Sequence, residues 1–412
     1  MKQQIFEAAL GIQSPWYISD VDLNTDTQVL TIKIDFERGY RFAVDNVPDQ
    51  HPAHDTIRKQ YRHLNFFQHE CYLDVRIPKV KLPDGTIRQV TPEWVGKLSG
   101  FTLLFEALVM ALTQQMPFRA VARLVNISVH RVMAICERYV DQALAQADFS
   151  GVSRLAIDET SRAKGHDYVT LAADMDRRAV VFVTEGRDAS AIHRLAEDLK
   201  EHNADPLAIE SVSIDMSPAF KKGCGEALPN ARITFDKFHV IAHASKAVDQ
   251  MRRIEQKTDP SLKGLRWTLL KHRDGLSNKQ QAELDQLISR MTTKRTARAW
   301  IYKEQLSELL NCKQINVLHA SLNQWCTNVM RSKVEPMKEV ARMIRNNFEG
   351  IVAWAQTRQT NGFIEAINGL FQASKRRARG YVRFKTIRTV IFLIAGKLDY
   401  ERVNPHMKNQ PT

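Results

Sequence analysis

Apolar and polar residues alternate with a period of two through the first part of the chain. In Val29–Phe36, Leu30, Ile32, Ile34 and Phe36 alternate with Thr31, Lys33 and Asp35, the pattern of a half-buried strand. Residues 71–80 repeat it, with Leu73, Val75 and Ile77 against Tyr72, Asp74 and Arg76. A turn at Leu82-Pro83-Asp84-Gly85 then leads to Ile87 and Val90. After Thr91-Pro92-Glu93-Trp94 the period changes to that of a helix. Apolar faces over 101–112, 118–125 and 129–143 predict three helices, the last two separated by Asn126-Ile127-Ser128. This division gives a β-rich module over 1–95 and a helical module over 96–150.

From 151 the chain alternates strands and helices. Leu155-Ala156-Ile157 runs into Asp158, and two β-rich runs, 168–173 and 179–184, predict a hairpin around residues 174–178. A helix follows over Ala189–Glu201, with Ile192, Leu195, Ala196 and Leu199 on one face. The apolar run 212–214 ends in Asp215, and Ser217-Pro218 opens a helix with proline in its first position. Arg232–Phe235 ends in Asp236, with another helix from Lys237. That order of elements over 151–250 is the order of a ribonuclease-H-like fold.

Residues 251–345 read as charged amphipathic helix throughout, an all-α insertion with Trp267, Trp300 and Trp325 expected as core anchors. The interrupted core then resumes over 346–400. There, Asn361, Glu365, Asn368, Gln372 and Lys375 fall at steps of four and three, a polar stripe on one helix face. Ile364, Ile367 and Phe371 form an apolar stripe suited to docking on a sheet. The tail, 401–412, is expected to be disordered. The fold class is multidomain α+β: a ribonuclease-H-like α/β core interrupted by helices and preceded by the β-rich and helical modules.

Charge narrows the function. The chain has 412 residues, a formal charge of +13 and a pI near 9.5, which point to a polyanionic partner, nucleic acid before membrane. A basic but ordinary enzyme stays open on charge alone. The five cysteines form no C-x-x-C pair, so a disulfide framework or a cysteine-rich zinc site is not expected, and they read as buried thiols in a reducing compartment. His51, His54, His63 and His69 cluster without a visible four-ligand set and read as solvated or hydrogen-bonded. No run of apolar residues is long enough to span a membrane, and the N-terminus does not resemble a secretory signal.

The candidate chemistry rests on acids. Asp158, Asp215 and Glu365 come from three distant segments, two at strand ends and one on a helix, and together would make a divalent-metal cage. The three-helix pattern of 96–150 resembles a helix-turn-helix, with Ser128 capping the recognition helix and His130 and Arg131 in its first turn. A plain three-helix packing unit is the alternative. After the polar stripe comes K-R-R-A-R-G-Y-V-R-F-K, in which Lys375, Arg376, Arg377 and Arg379 are interleaved with Tyr381 and Phe384. The run suits a nucleic-acid backbone, and a solvated basic face is the alternative.

These residues resemble a known family. A-I-D-E-T-S with the following H-D-Y-V-T, then I-D-M-S-P-A-F, F-D-K-F-H-V, T-A-R-A-W, and T-N-G-F-I-E-A-I-N with K-R-R-A-R-G-Y resemble bacterial insertion-sequence transposases of the DDE superfamily, ISL-three group. The resemblance covers nearly the whole chain. It implies that Asp158, Asp215 and Glu365 are the catalytic triad, binding two Mg²⁺ ions with Mn²⁺ as a substitute. Asp158 would bridge both ions, and Glu159 would stand outside the first ligand set. Asp236 and His239 look like the family's supporting D-x-x-H pair. His239 would contact the scissile phosphate, orient an acid, or stand as a core histidine. Lys375, Arg376 and Arg377 would hold the backbone of double-stranded DNA near the cut.

The implied activity is metal-dependent hydrolysis at terminal inverted repeats and strand transfer into target DNA, by a homodimer or larger assembly in the bacterial cytoplasm at the nucleoid. A catalytically inactive DNA-binding relic or regulator is the rival class, and a nuclease without strand transfer a third reading. One departure stands out. Family members open with a zinc ribbon, but the matching positions here are Val44, Val47, Leu82 and Gly85, with only His51 and His54 nearby. A zinc-free, hydrophobically stabilised module is therefore expected.

Overall fold

The computed structural model describes residues 2–44, 47–98, 100–162, 167–290, 294–359 and 361–407. The chain forms two units, Met1–Ala147 with Ala373–Thr412, and Asp148–Gln372. His166 and Thr360, which fall in the quoted motifs, and residues 408–412 of the tail lie outside the described residues.

In the first unit a short helix, α1 (Lys2–Leu10), precedes β1 (Trp16–Asn24), β2 (Val29–Phe36), β3 (Arg41–Val44), β4 (Val47–Arg62), β5 (Glu70–Lys81) and β6 (Ile87–Gln89). The strands pair in the order β1-β2-β5-β4-β3, with β6 on β5. The two alternating runs read from the sequence are β2 and β5, and they lie side by side in parallel. Leu30 pairs with Cys71, Ile32 with Leu73 and Ile34 with Val75. Same-face neighbours of this kind merge two half-buried faces into one core with Ile12, Ile18, Tyr61 and Ile77. Each such side chain contributes about 1.5–3 kcal/mol of burial.

β4 was not legible. It is mostly polar and carries Pro48 and Pro52, both in the half that pairs only with β3, before pairing with β5 begins at Ala53. The four positions that the resemblance sets against a zinc ribbon lie in and beside these strands. Val44 and Val47 pair across β3 and β4, and with Leu82 they join an apolar cluster of Phe36, Phe42 and Val80. Gly85 closes the adjoining turn at a φ of +83°, donating its N–H to the Leu82 carbonyl. The histidines disperse. His51 contacts the Pro48 carbonyl, and His63 Nδ1 lies 2.9 Å from Thr102 Oγ1. Burial holds the His63 imidazole down at about 4.

The helical module comprises α2 (Leu103–Gln115), α3 (Phe118–Leu124) and α4 (Val129–Ala145). Thr102 caps α2 and Ser128 caps α4, each hydroxyl accepting an N–H from three residues on. Glu106, fully buried, accepts from the amides of Lys97 and Leu98 and from the Tyr139 hydroxyl.

The second unit opens with β7 (Arg154–Ser161), β8 (Tyr168–Asp174) and β9 (Ala179–Glu185), then α5 (Ala189–Glu201), β10 (Ser211–Ile214), α6 (Pro218–Ala227), β11 (Arg232–Phe235) and α7 (Lys237–Glu255). The sheet order is β11-β10-β7-β8-β9. β7, β8 and β9 form an antiparallel meander, while β10 and β11 add in parallel on the other side of β7. The expectation that the first strand stops before Asp158 is corrected: β7 continues to Ser161 because β8 pairs with it along its whole length. β10 leaves β7 at Ala156, so Asp158 stands where one neighbour has gone and the other remains.

Six helices follow: α8 (Arg266–Leu270), α9 (Asn278–Ile288), α10 (Arg295–Leu309), α11 (Ile315–Met330), α12 (Glu335–Asn346) and α13 (Phe348–Thr357). α13 returns to the sheet, where Gly350 has no room for a Cβ against the Phe235 ring of β11. Trp300 and Trp325 are core anchors, each 4% exposed, but Trp267 is 64% exposed. Five-residue α8 buries Thr268 and Leu269 and turns Trp267 outward, where Arg266 covers its ring.

The unit boundary falls within α14 (Gly362–Ala378), and α15 (Phe384–Ala395) belongs to the first unit. The tail is corrected over 401–407. Val403, Asn404 and Met407 are buried, and the Asn404 side chain donates to the Leu103 carbonyl and the Tyr139 hydroxyl.

Candidate active site

The site builds up at the end of β7, the middle strand of the sheet. Asp158 Oδ1 accepts the Glu159 amide, 2.8 Å away, and Oδ2 accepts from Asn368 Nδ2 at 2.7 Å. Two residues along, Gln372 Nε2 donates to Thr160 Oγ1 and to the Ser161 carbonyl, both at 2.9 Å. The polar stripe of α14 therefore lies against β7. Its register is fixed by Ile364, Ile367 and Phe371, all buried on the other face.

Asp215 follows β10 directly, and its Oδ1 accepts the Ser217 amide in the turn that launches α6. Glu365 lies in the first turn of α14 with its side chain 47% exposed, its Oε1 3.6 Å from His239 Nε2. His239 sits in the first turn of α7, and its Nε2 is buried without a hydrogen-bond partner. Asp236 is wholly buried and caps α7 by accepting the Phe238 amide. Its second oxygen accepts the Asn361 amide at the entrance to α14. One carboxylate thus joins the two helices that carry His239 and Glu365.

The electrostatics tie the acids together. Burial pushes the Asp158 carboxyl up to about 6; the Glu159 amide and His239 oppose this, while the charges of Asp215 and Glu365 add to it. Glu159 is also held above its ordinary value, by burial first and then by Asp215 and Asp158, with Arg187 opposing. Arg187 lies 3.7 Å from Glu159 Oε1 and stacks on Tyr168. Glu159 is thus a fourth acid within electrostatic reach of Asp215. Neither its proximity nor the pairing of Asn368 and Gln372 with β7 was read from the sequence. The step pattern of the stripe was the available signal for the two amides.

The donor set suits a hard divalent cation. It offers carboxylate oxygens with mutual repulsion to relieve, and Asn368 Oδ1 is buried there without a hydrogen-bond partner. Among the described residues, no three acidic, histidine or cysteine side chains are already gathered tightly enough to hold an ion. Half-exposed Glu365 is the acid with most freedom to close on one.

The residues assigned to DNA lie in the first unit. His130 and Arg131 are exposed in the first turn of α4, but the Arg131 guanidinium lies 3.9 Å over the Phe101 ring, so its charge is engaged in packing. Arg376, Arg377 and Arg379 are exposed at the end of α14, and Lys375 is half-buried. Among the described residues no helix is long and apolar enough to cross a membrane.

A helix-turn-helix with a basic surface, followed by an α/β unit with acids about its central strands β7 and β10, is the make-up of a DNA-binding transposase. The transposase model of the ISL3 family matches residues 155–391, and the model for the helix-turn-helix domain of transposase family ISL3 matches residues 90–140. The chain is similar to the transposase for insertion sequence element IS1001 of Bordetella parapertussis, with 26% identity over 340 residues, 80% of this chain and 82% of the relative. It is also similar to the transposase for insertion sequence element IS1557 of Mycobacterium tuberculosis, with 26% identity over 352 residues, 78% of each. The chain belongs to the ISL3 family of insertion-sequence transposases.

Proposed function

We propose that the second unit is a metal-dependent DNA-cleaving and strand-transferring centre in which Asp158, Asp215 and Glu365 bind two Mg²⁺ ions, Mn²⁺ serving in their place. The observation that carries this reading is the Asn368–Asp158 hydrogen bond, which seats the helix of Glu365 on β7, beside the parallel strand β10 that leads into Asp215; the three acids come from segments far apart in sequence. The sheet order, an antiparallel meander extended in parallel from its first strand, supports a ribonuclease-H-like core over 151–250 that resumes at 346 after the insertion of 251–345; of the expected last part, 346–400, residues from 373 onward group with the first unit. The relatives are transposases for insertion sequence elements, which supports the DNA of such an element as substrate, with its terminal inverted repeats and target DNA as the proposed sites of action.

Bound cations would lower the pKa of water and stabilise the leaving oxygen of a phosphodiester. The chain's own residues prepare for this. Asn368 and the Glu159 amide fix both oxygens of Asp158, and the Ser217 amide fixes Asp215. His239 faces Glu365 and is placed to orient that carboxylate or to meet a phosphate oxygen. Asp236 holds the two supporting helices in register. A homodimer or larger assembly would bring two element ends together, and cytoplasmic DNA at the nucleoid is the expected setting.

The test is cleavage and strand transfer by purified protein in Mg²⁺, on DNA carrying the inverted repeats that flank its gene. New 3′ ends and joined products, lost in Asp215→Ala, are expected. Specific binding without cleavage in either Mg²⁺ or Mn²⁺ overturns the catalytic reading and leaves a DNA-binding relic. Cleavage without joining leaves a nuclease.

A further inference from the structure

On α15, Lys385 pairs with Glu137 and Asp141 of α4, and Arg388 pairs with Asp141. Four arginines elsewhere in the first unit are gathered without such partners. Arg119 and Arg123, four residues apart on the exposed face of α3, share an open trough of about 690 Å³ with Arg377 and Arg379 at the end of α14. No acid lines the trough, whose remaining walls are small or apolar, Pro117 and Val129 among them. None of the four guanidinium groups has a carboxylate or hydrogen-bond partner among the described residues.

Four like charges gathered without a counter-charge repel one another, and an anion seated among them removes that repulsion. The backbone adds a second observation. Arg379 adopts a left-handed conformation, φ +59°, just where α14 closes through the Gly380 amide and the Lys375 carbonyl. Glycine takes that position readily and arginine does so at a conformational cost, which points to a use for its side chain.

We infer that this trough is a clamp for the phosphate backbone of duplex DNA, formed by α3 and the end of α14 and separate from any base-reading surface of α4. The inference deepens the DNA-binding reading of this chain, on which it rests. α3 is the helix before the recognition helix, the one that crosses the backbone in helix-turn-helix complexes. Guanidinium forks match phosphate oxygens, and a wide, open trough suits several phosphates in succession rather than one enclosed anion. Such contacts position the protein and carry no sequence information.

The test measures binding across a sodium chloride series. It compares a duplex carrying the element's own inverted repeat with an unrelated duplex of equal length. Each phosphate contact contributes about 0.9 to the slope of log affinity against log salt, so Arg119→Ala/Arg123→Ala should flatten it by about 1.8 on both duplexes. The preference for the repeat should be unchanged. The double lysine variant, which keeps the charges, should retain most of the slope. Arg379→Gly should weaken both complexes while leaving the thermal midpoint equal to or above that of the wild type, a combination that a purely structural role does not produce. A wild type that binds and a double alanine variant with the same slope overturn the clamp alone. A wild type that binds neither duplex overturns the DNA-binding reading and the clamp with it.

Discussion

Asp158→Asn is expected to stabilise the metal-free protein while abolishing cleavage. Burial, with the neighbouring acids, holds the Asp158 carboxyl at about 6 against an ordinary 3.8. Because the folded state binds this proton more tightly than the unfolded chain, protonation favours the fold. The penalty is absent below about pH 3.8, grows as pH rises towards about 6, and is complete above it. At about 1.36 kcal/mol per pH unit the difference amounts to about 3 kcal/mol, and solvent access to the site brings the expectation to about 2 kcal/mol.

Asparagine is neutral throughout and can keep both hydrogen bonds. Its oxygen accepts the Glu159 amide. Its amide group donates to Asn368 Oδ1, which has no hydrogen-bond partner at present, once the Asn368 amide turns over. In thermal unfolding with a chelator present, the variant should match the wild type near pH 4 and melt about 4–8 °C higher near pH 7.5. Added Mg²⁺ should raise the wild-type midpoint and leave the variant's unchanged. A variant no more stable than the wild type near pH 7.5, or a gain independent of pH, refutes the reasoning. The trade of stability for function is the expected signature of acids assembled for a purpose other than folding.

Leu82→Ala, in the apolar cluster where the resemblance leads one to look for a zinc ribbon, should cost about 2–4 kcal/mol in denaturant unfolding, with the wild-type midpoint unmoved by a strong chelator. A midpoint that falls with chelator contradicts hydrophobic stabilisation of that module. Trp267→Ala should change stability by less than about 0.5 kcal/mol, whereas Trp325→Ala should cost about 3–5 kcal/mol. The same scan over both variants checks this contrast, which follows from 64% exposure against 4%.

Much of the architecture was legible because it is local. Alternation in Val29–Phe36, the Ser128 cap, proline at the start of α6 and the two stripes of α14 are properties of short stretches, fixed by side-chain period and backbone preference. β4 escaped because its polar, proline-bearing sequence has no period of its own and takes strand form from the edge that β5 offers. Trp267 was misread because an isolated large apolar residue carries no sign of which way a short helix will turn it.

By itself, then, the sequence determined the order and kind of most elements, the basic character that calls for DNA, the acids at the ends of apolar runs and the family. Only the tertiary structure decided which distant stretches meet. Parallel pairing of β2 with β5, burial of residues 403 and 404, and the seating of Asn368 on Asp158 each join segments far apart in sequence. The same holds for the acid site. A carboxyl is moved to about 6 by the solvent it loses and the charges it gains, and both belong to its neighbours in space. The gathering of Arg119 and Arg123 with Arg377 and Arg379 has the same origin, since charge density is set by packing rather than by order along the chain.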